Sequence, residues 1–244
     1  MKVGGAELDD PAWIERFGAC LVAARPVVVV HGGGRRISAW QERLGLPVEM
    51  VDGVRVTTPE VAGVAQMVLS GPIQSDLVRG LRQQGMDAVG LAGADGYLIV
   101  ELVDPPRLGR VGRVTRVDVE GLRRLLAAGL TPVIAPSSVD ERGEAVNVNA
   151  DEAAAAVARA LGAVELLFVS DVPGVLRNGR VLPSTSTSGI GELIAQGVVT
   201  DGMVAKLRAA AQAGVARVRI GDIQMLADPD RGTLIATDAV EAAA

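Results

Sequence analysis

Six apolar runs rich in β-branched residues, Val27–Val30, Ala88–Leu91, Leu98–Leu102, Pro132–Ile134, Leu166–Val169 and Val215–Ile220, alternate along this chain with segments of helical periodicity. Runs that stay apolar at consecutive positions are buried on both faces, which is the pattern of a mainly parallel sheet covered by helices on either side. The fold class predicted is α/β, a three-layer α/β/α sandwich with a mainly parallel central sheet. Helices are expected over Arg36–Leu44, Pro59–Ser70, Ser75–Gln84, Val119–Ala128, Asp151–Leu161, Ile190–Gln196 and Met203–Ala213. Another opens at Asp10-Pro11, a cap followed by a first-turn proline, and puts Trp13, Phe17, Leu21 and Ala24 on one face. Asp52-Gly53 and Asn178-Gly179 predict tight hairpins. Ser184–Ser188 reads as a surface loop, and the tail after Thr237 as a fraying end.

With 244 residues, no internal repeat and no long linker, residues 1–244 read as a single domain. A net charge of −5 excludes a broadly basic surface for nucleic acid or anionic membrane, but leaves room for a local anion site. The single cysteine, Cys20, excludes an intramolecular disulfide and a multi-cysteine metal centre. No signal-peptide pattern and no apolar run of about 20 residues is present, so the expected location is cytoplasmic.

Of the 24 lysines and arginines, only Lys2 and Lys206 are lysine, and each lies beside a glycine-bearing motif. A thin, flexible ammonium reaches into a phosphate cluster that a planar guanidinium would crowd. Lys2-Val3-Gly4-Gly5 and Val27–Val30 followed by His31-Gly32-Gly33-Gly34 are apolar strands emptying into glycines, where backbone N–H groups can turn toward an anion. No Gly-Lys-Ser/Thr sequence occurs, so a P-loop mechanism is excluded.

Asn147 and Asn149 share one side of an extended segment, and Asp151 falls where a helix begins. Ser170-Asp171-Val172-Pro173-Gly174-Val175-Leu176 leaves another buried strand. Thr200-Asp201-Gly202-Met203 sets Lys206 in the first turn of a helix. Ligand clefts in α/β sheets open at the carboxyl ends of strands, where all these segments would gather.

From Lys2 to about Ile235 these motifs, in this order, resemble the amino acid kinase family, which has the carbamate kinase-like fold. Its further pieces are Gly53-Val54-Arg55-Val56-Thr57, Val89-Gly90-Leu91 with Asp95-Gly96, and Val133-Ile134-Ala135-Pro136. Within the family the chain is most similar to the members that phosphorylate the side-chain carboxylate of N-acetyl-L-glutamate in arginine biosynthesis. The resemblance implies that Lys2 and Lys206 stabilise the transferring phosphoryl group and that Asp151 orients both. Gly33, Gly34, Arg55, Asn147 and Asn149 would bind the acyl amino acid, Arg55 through its α-carboxylate. Gly4, Gly5, Asp171, Val172, Gly174, Val175, Leu176, Val198, Val199, Thr200 and Gly202 would bind ATP, with Mg²⁺ carried on its phosphates and no protein metal ligands. An N-terminal lobe, about 1–161, would hold the amino acid and dimerise; a C-terminal lobe, about 162–244, would hold ATP.

The chemistry agrees with these residue types. A glutamyl side chain, with a reference pKa of about 4.3, is ionised at neutral pH and needs no general base. Catalysis then rests on positioning and on cations, and His31, the only histidine, is expected to position its glycine turn. Gln74-Ser75 stands where the family usually carries Asn-Lys, which bears on the substrate. Only Met1 precedes Lys2, implying a short first strand or a start further upstream. The absence of a long N-terminal helix implies a homodimer insensitive to arginine, and a PII-type nitrogen-signalling partner stays open. The other readings are a carrier-linked aminoadipate kinase, a kinase of glutamate or carbamate, and a catalytically silent sensor.

Overall fold

In a computed structural model, which describes residues 1–199 and 201–236, eight strands form the central sheet. Their order is Ser184–Ser186, Thr233–Ala236, Arg217–Gly221, Glu165–Val169, Lys2–Val3, Val29–His31, Thr131–Ala135 and Ala88–Ala92. Every neighbouring pair is parallel except Arg217–Gly221 with Thr233–Ala236. Alternate side chains face opposite layers, as a strand's two-residue period requires. Val29, Val133 and Val169 pack with Phe17, Val64 and Leu77, from helices Pro11–Leu21, Pro59–Val68 and Gln74–Gln83. Val30, Ile134 and Phe168 pack on the other side with Leu122, Val157 and Leu207, from helices Val119–Ala127, Ala150–Leu161 and Asp201–Ala211. The expected three-layer arrangement is present.

The short strand Lys2–Val3 lies between Val29–His31 and Glu165–Val169. Strand order runs outward from it in both directions, so it marks a switch point, and a crevice opens beyond the carboxyl ends there. Gly4-Gly5, Gly32-Gly33-Gly34 and Ser170-Asp171 all follow those ends.

A second, four-stranded sheet has the order Leu98–Leu102, Val111–Val117, Ala145–Val148 and Ser137–Val139. Leu98–Leu102 thus belongs outside the central sheet, antiparallel to Val111–Val117. Its exposed Ile99 and Glu101 alternate with less exposed neighbours, so it is half-buried and not covered on both faces. Ser184–Ser186 is an edge strand, not a loop, and Ser186 caps helix Thr187–Ala195 by accepting from Gly189 N at 3.1 Å. Polar edge strands resemble loops in sequence because no apolar face is required of them. The helix expected over Pro59–Ser70 ends at Val68, and a π-turn, Leu69–Ile73, follows, with Gly71 non-helical and Pro72 lacking an N–H. Both hairpins form as expected, with positive φ at Asp52, Gly53, Asn178 and Gly179. Thr200, expected on the nucleotide side, and the tail beyond Ala236 lie outside the described residues.

Candidate active site

Lys2, Gly5, Gly33, Gly34, Arg55, Asn147, Asn149 and Asp151 line one cavity of about 250 Å³ at the switch point. These residues come from four separate stretches of chain, each delivered by the carboxyl end of a strand or by the turn after it. The cavity wall also includes Pro136, which ends the Val133–Pro136 motif, and Ile37 and Leu69, apolar residues that local sequence does not distinguish from core.

Its floor is an ion-pair cluster. Lys2 Nζ lies 2.9 Å from Asp151 Oδ1 and Lys206 Nζ 3.9 Å from Asp151 Oδ2, so one carboxylate is bracketed by two ammoniums. Asp151 is held in the first turn of helix Ala150–Leu161, whose cap is Asn149: the Asn149 side-chain oxygen accepts from Asp151 N at 2.8 Å and Glu152 N at 3.2 Å. That oxygen is committed to the cap, which leaves the Asn149 amide N–H₂ for a ligand. Lys206, on helix Asp201–Ala211, is not in the cavity wall and joins it through Asp151. Burial pushes the Lys206 ammonium below the usual lysine range and Lys2 pushes the same way, while Asp151, Glu7 and Asp171 oppose them.

The glycines divide by role. Gly4 N–H is already bonded to Val169 O at 3.2 Å, whereas among the described residues Gly5 and Gly33 N–H donate to no group in the chain. A Cβ on Gly5 would lie 2.7 Å from Gly33 Cα and N, so the two turns touch backbone to backbone. Helix Gly34–Arg43 starts here with no side-chain cap, presenting its positive end to the cavity.

Arg55 is buried, and its Nη1 donates to Gln41 Oε1, while Nη2 donates to Gly34 O at 3.1 Å and Ser38 Oγ at 2.9 Å. Among the described residues it has no carboxylate partner, and burial lowers its pKa. A desolvated guanidinium without a counter-ion is a receptor for an anion. Asn147 Nδ2 donates to Thr57 Oγ1 at 3.2 Å, joining the asparagine strand to the Arg55 hairpin.

His31 is wholly buried, with Nδ1 3.1 Å from Gly32 O. Burial, assisted by Lys2, pushes its pKa down to about 4, so it is neutral at physiological pH. Gln74 is buried away from the cavity, and its Nε2 donates to Leu91 O at 2.8 Å and Val133 O at 3.0 Å, tying helix Gln74–Gln83 to two strands.

Of the expected nucleotide residues that are described, Gly5 lines this cavity and the others do not. Asp171 follows strand Glu165–Val169 and accepts from Ser170 Oγ at 3.1 Å. Val175 and Val199 are core side chains, while Leu176 is exposed in its hairpin, so the two valines can meet a ligand only through backbone. Glu7, absent from the expected set, is buried beside Gly4, and local sequence gives no cue beyond one acidic residue between Ala6 and Leu8.

A sequence profile of the Amino acid kinase family matches residues 1–222. The chain is 48% identical over 236 residues to a protein named Acetylglutamate kinase from Chloroflexus aurantiacus, covering 93% of each chain. The crystal structure of smu.665 from Streptococcus mutans UA159 superposes with a TM-score of 0.86 at 31% identity, covering 96% of both chains. Carbamate kinase from Giardia lamblia bound to AMP-PNP shares the fold, with a TM-score of 0.69 at 16% identity and 97% coverage of each chain. With a family match over nearly the whole chain and a relative this similar at almost full length, the chain belongs to the Amino acid kinase family.

Proposed function

We infer that this protein transfers the γ-phosphoryl group of ATP to the side-chain carboxylate of N-acetyl-L-glutamate, giving N-acetyl-L-glutamyl 5-phosphate for arginine biosynthesis. The observation that carries the reading is near-full-length identity to acetylglutamate kinase. A buried Arg55 that has no carboxylate partner among the described residues, in the same cavity as the Lys2–Asp151 pair, supports it. The aminoadipate and sensor readings gain no support from these relatives.

In this reading the substrate's α-carboxylate pairs with Arg55, and the amides of Asn147 and Asn149 contact the acetylated backbone. The reacting carboxylate meets the N–H groups of Gly33 and Gly34. Its oxygen forms a bond to the γ-phosphorus as the bond from that phosphorus to the bridging oxygen breaks, and the electron pair stays on ADP. The attacking group is already an anion, so no base is required; the barrier is repulsion between anions. Lys2, Lys206 and Gly5 N–H offset that repulsion, and Asp151 holds the two ammoniums apart and oriented. Mg²⁺ carried on the ATP phosphates would supply further charge neutralisation there. Residues of about 1–161 hold the amino acid and those after 162 the nucleotide, around Asp171–Leu176, Val198, Val199 and Gly202.

A cytoplasmic homodimer goes with this reading; among the described residues no helix is long and apolar enough to cross a membrane. Purified protein with Mg-ATP should release ADP and yield a hydroxylamine-trappable acyl phosphate with N-acetyl-L-glutamate, and not with L-glutamate or a carrier-linked aminoadipate. Turnover on either of the others, or none on any, would overturn the assignment.

A further inference from the structure

The two glycine turns that bring Gly5 and Gly33 to the cavity are tied together behind it by one side chain. Arg36 lies two residues beyond Gly34, in the first turn of helix Gly34–Arg43, with its side chain 25% exposed. Its Nη2 donates to Leu8 O at 2.7 Å and its Nε to Asp9 Oδ1 at 2.7 Å, both in the 3-10 segment Glu7–Asp9 that follows the first turn. Its Nη1 donates to Asp76 Oδ2 at 2.9 Å, on helix Gln74–Gln83, which Gln74 anchors to two strand carbonyls. All three guanidinium nitrogens are engaged, in a forked geometry that an ammonium does not reproduce.

A closed circuit results. The chain runs from Gly5 to Leu8, crosses the Arg36 side chain, returns through Gly34 to Gly33, and is completed where Gly5 and Gly33 meet backbone to backbone. Its base is fixed in the sheet, where Gly32 N donates to Val3 O at 2.9 Å. Among the described residues no backbone hydrogen bond joins residues 4–9 to residues 33–36. The polar ties across that gap are Arg36 and an exposed Arg35–Asp9 pair at 4.0 Å. Backbone donors serve a phosphoryl group only when held at the spacing of its oxygens, and a displacement of about 1 Å costs on the order of 10²-fold in rate.

We propose that Arg36 is a positioning residue for phosphoryl transfer: by clasping Leu8, Asp9 and Asp76 it sets the spacing of the Gly5 and Gly33 N–H groups. The proposal rests on the reading of those donors as contacts for the phosphates and for the reacting carboxylate. Arg36 is outside the cavity wall and acts through the glycines.

Triple-resonance NMR reads both glycine amides without turnover, in the wild type, Arg36→Met and Arg36→Lys, before and after addition of Mg-ADP. In Arg36→Met the Gly5 and Gly33 amide signals should move in the free protein. Its kcat should fall about tenfold or more, with the KM values for ATP and N-acetyl-L-glutamate changing by less. Arg36→Lys should recover part of kcat and of the amide positions, since it restores the charge without the fork. Asp9→Asn removes one partner and should give the same changes at smaller amplitude; it decides the matter if Arg36→Met does not fold. Amide signals at their wild-type positions in a folded variant overturn the proposal even where the thermal midpoint falls, because Arg36 is then a structural clasp alone. Wild-type kcat, or a loss confined to KM, overturns it as well. If the wild type proves inactive on N-acetyl-L-glutamate, the functional reading fails by itself, and the amide signals still decide whether Arg36 sets the two turns.

Discussion

Lys2 Nζ and Asp151 Oδ1 stand 2.9 Å apart, with side chains 6% and 9% exposed, at the point where the strand order of the central sheet reverses. The pair joins the first strand to the helix that begins at Ala150, and Lys206 approaches the same carboxylate from the far side. Positive charge is thereby concentrated at one spot on a chain whose net charge is −5.

Removing the shared anion should damage both stability and turnover. Asp151→Asn leaves two ammoniums facing each other in a desolvated site, and breaking a buried pair in this way costs about 3 kcal/mol. Urea unfolding of the ligand-free protein should show that loss, and kcat should fall by about 10²-fold or more with both KM values changing less. Unchanged stability would mean that water or a displaced side chain already screens the lysines.

His31 makes stability depend on mild acid. Its folded pKa of about 4 lies below the ordinary 6.5, so the unfolded chain takes up the proton first. The contribution is complete above pH 6.5 and is lost as pH falls through the window down to 4, amounting to roughly 3 kcal/mol in full. His31→Asn should flatten the stability profile across that window in urea unfolding. A variant profile as steep as that of the wild type would assign the slope to carboxylates.

Gly5 tests the contact between the two glycine turns. Gly5→Ala places a methyl 2.7 Å from Gly33 backbone atoms, which cannot rotate aside as a side-chain tip does. The turns must separate, and kcat/KM for ATP should fall by about tenfold or more. Retention of wild-type kcat/KM would show that the turns need not touch for catalysis.

Signals with a local physical cause were legible in the sequence. Glycines after apolar strands, the Asp52-Gly53 and Asn178-Gly179 turns, the Asp10-Pro11 start and the scarcity of lysine each follow from one residue's own geometry or charge. The cavity that gathers Lys2, Arg55 and Asn147 was legible only because each motif lies at the end of a strand. Partnerships that cross the fold were not. Glu7, unmarked in sequence, is buried against Gly4, and Asn149 reads as a ligand until its oxygen is found capping a helix. Gln74, a departure that bears on substrate when seen in sequence, is turned toward strand carbonyls instead. Leu98–Leu102 forms the expected strand but in the second sheet, and the polar Ser184–Ser186 forms an edge strand where sequence suggests a loop, because sheet membership is set by pairing that a local run does not reveal.

Arg55 separates binding from folding most cleanly. Its guanidinium is buried with no carboxylate partner among the described residues, held by Gln41, Ser38 and the Gly34 carbonyl, so in the ligand-free protein its charge is a desolvation cost only partly offset by neutral acceptors. Arg55→Met removes the charge and keeps much of the side-chain bulk, so the unliganded protein should lose little stability or gain some. The substrate, in contrast, loses a charge-assisted contact worth about 2–3 kcal/mol, equivalent to a rise of roughly 30- to 150-fold in the KM for N-acetyl-L-glutamate, while the KM for ATP stays near the wild-type value. Steady-state kinetics with each substrate varied in turn, alongside thermal unfolding without ligand, would check both halves. If both KM values rise together, or the free protein is strongly destabilised, Arg55 serves as a structural clasp on the hairpin and the substrate's carboxylate is held elsewhere.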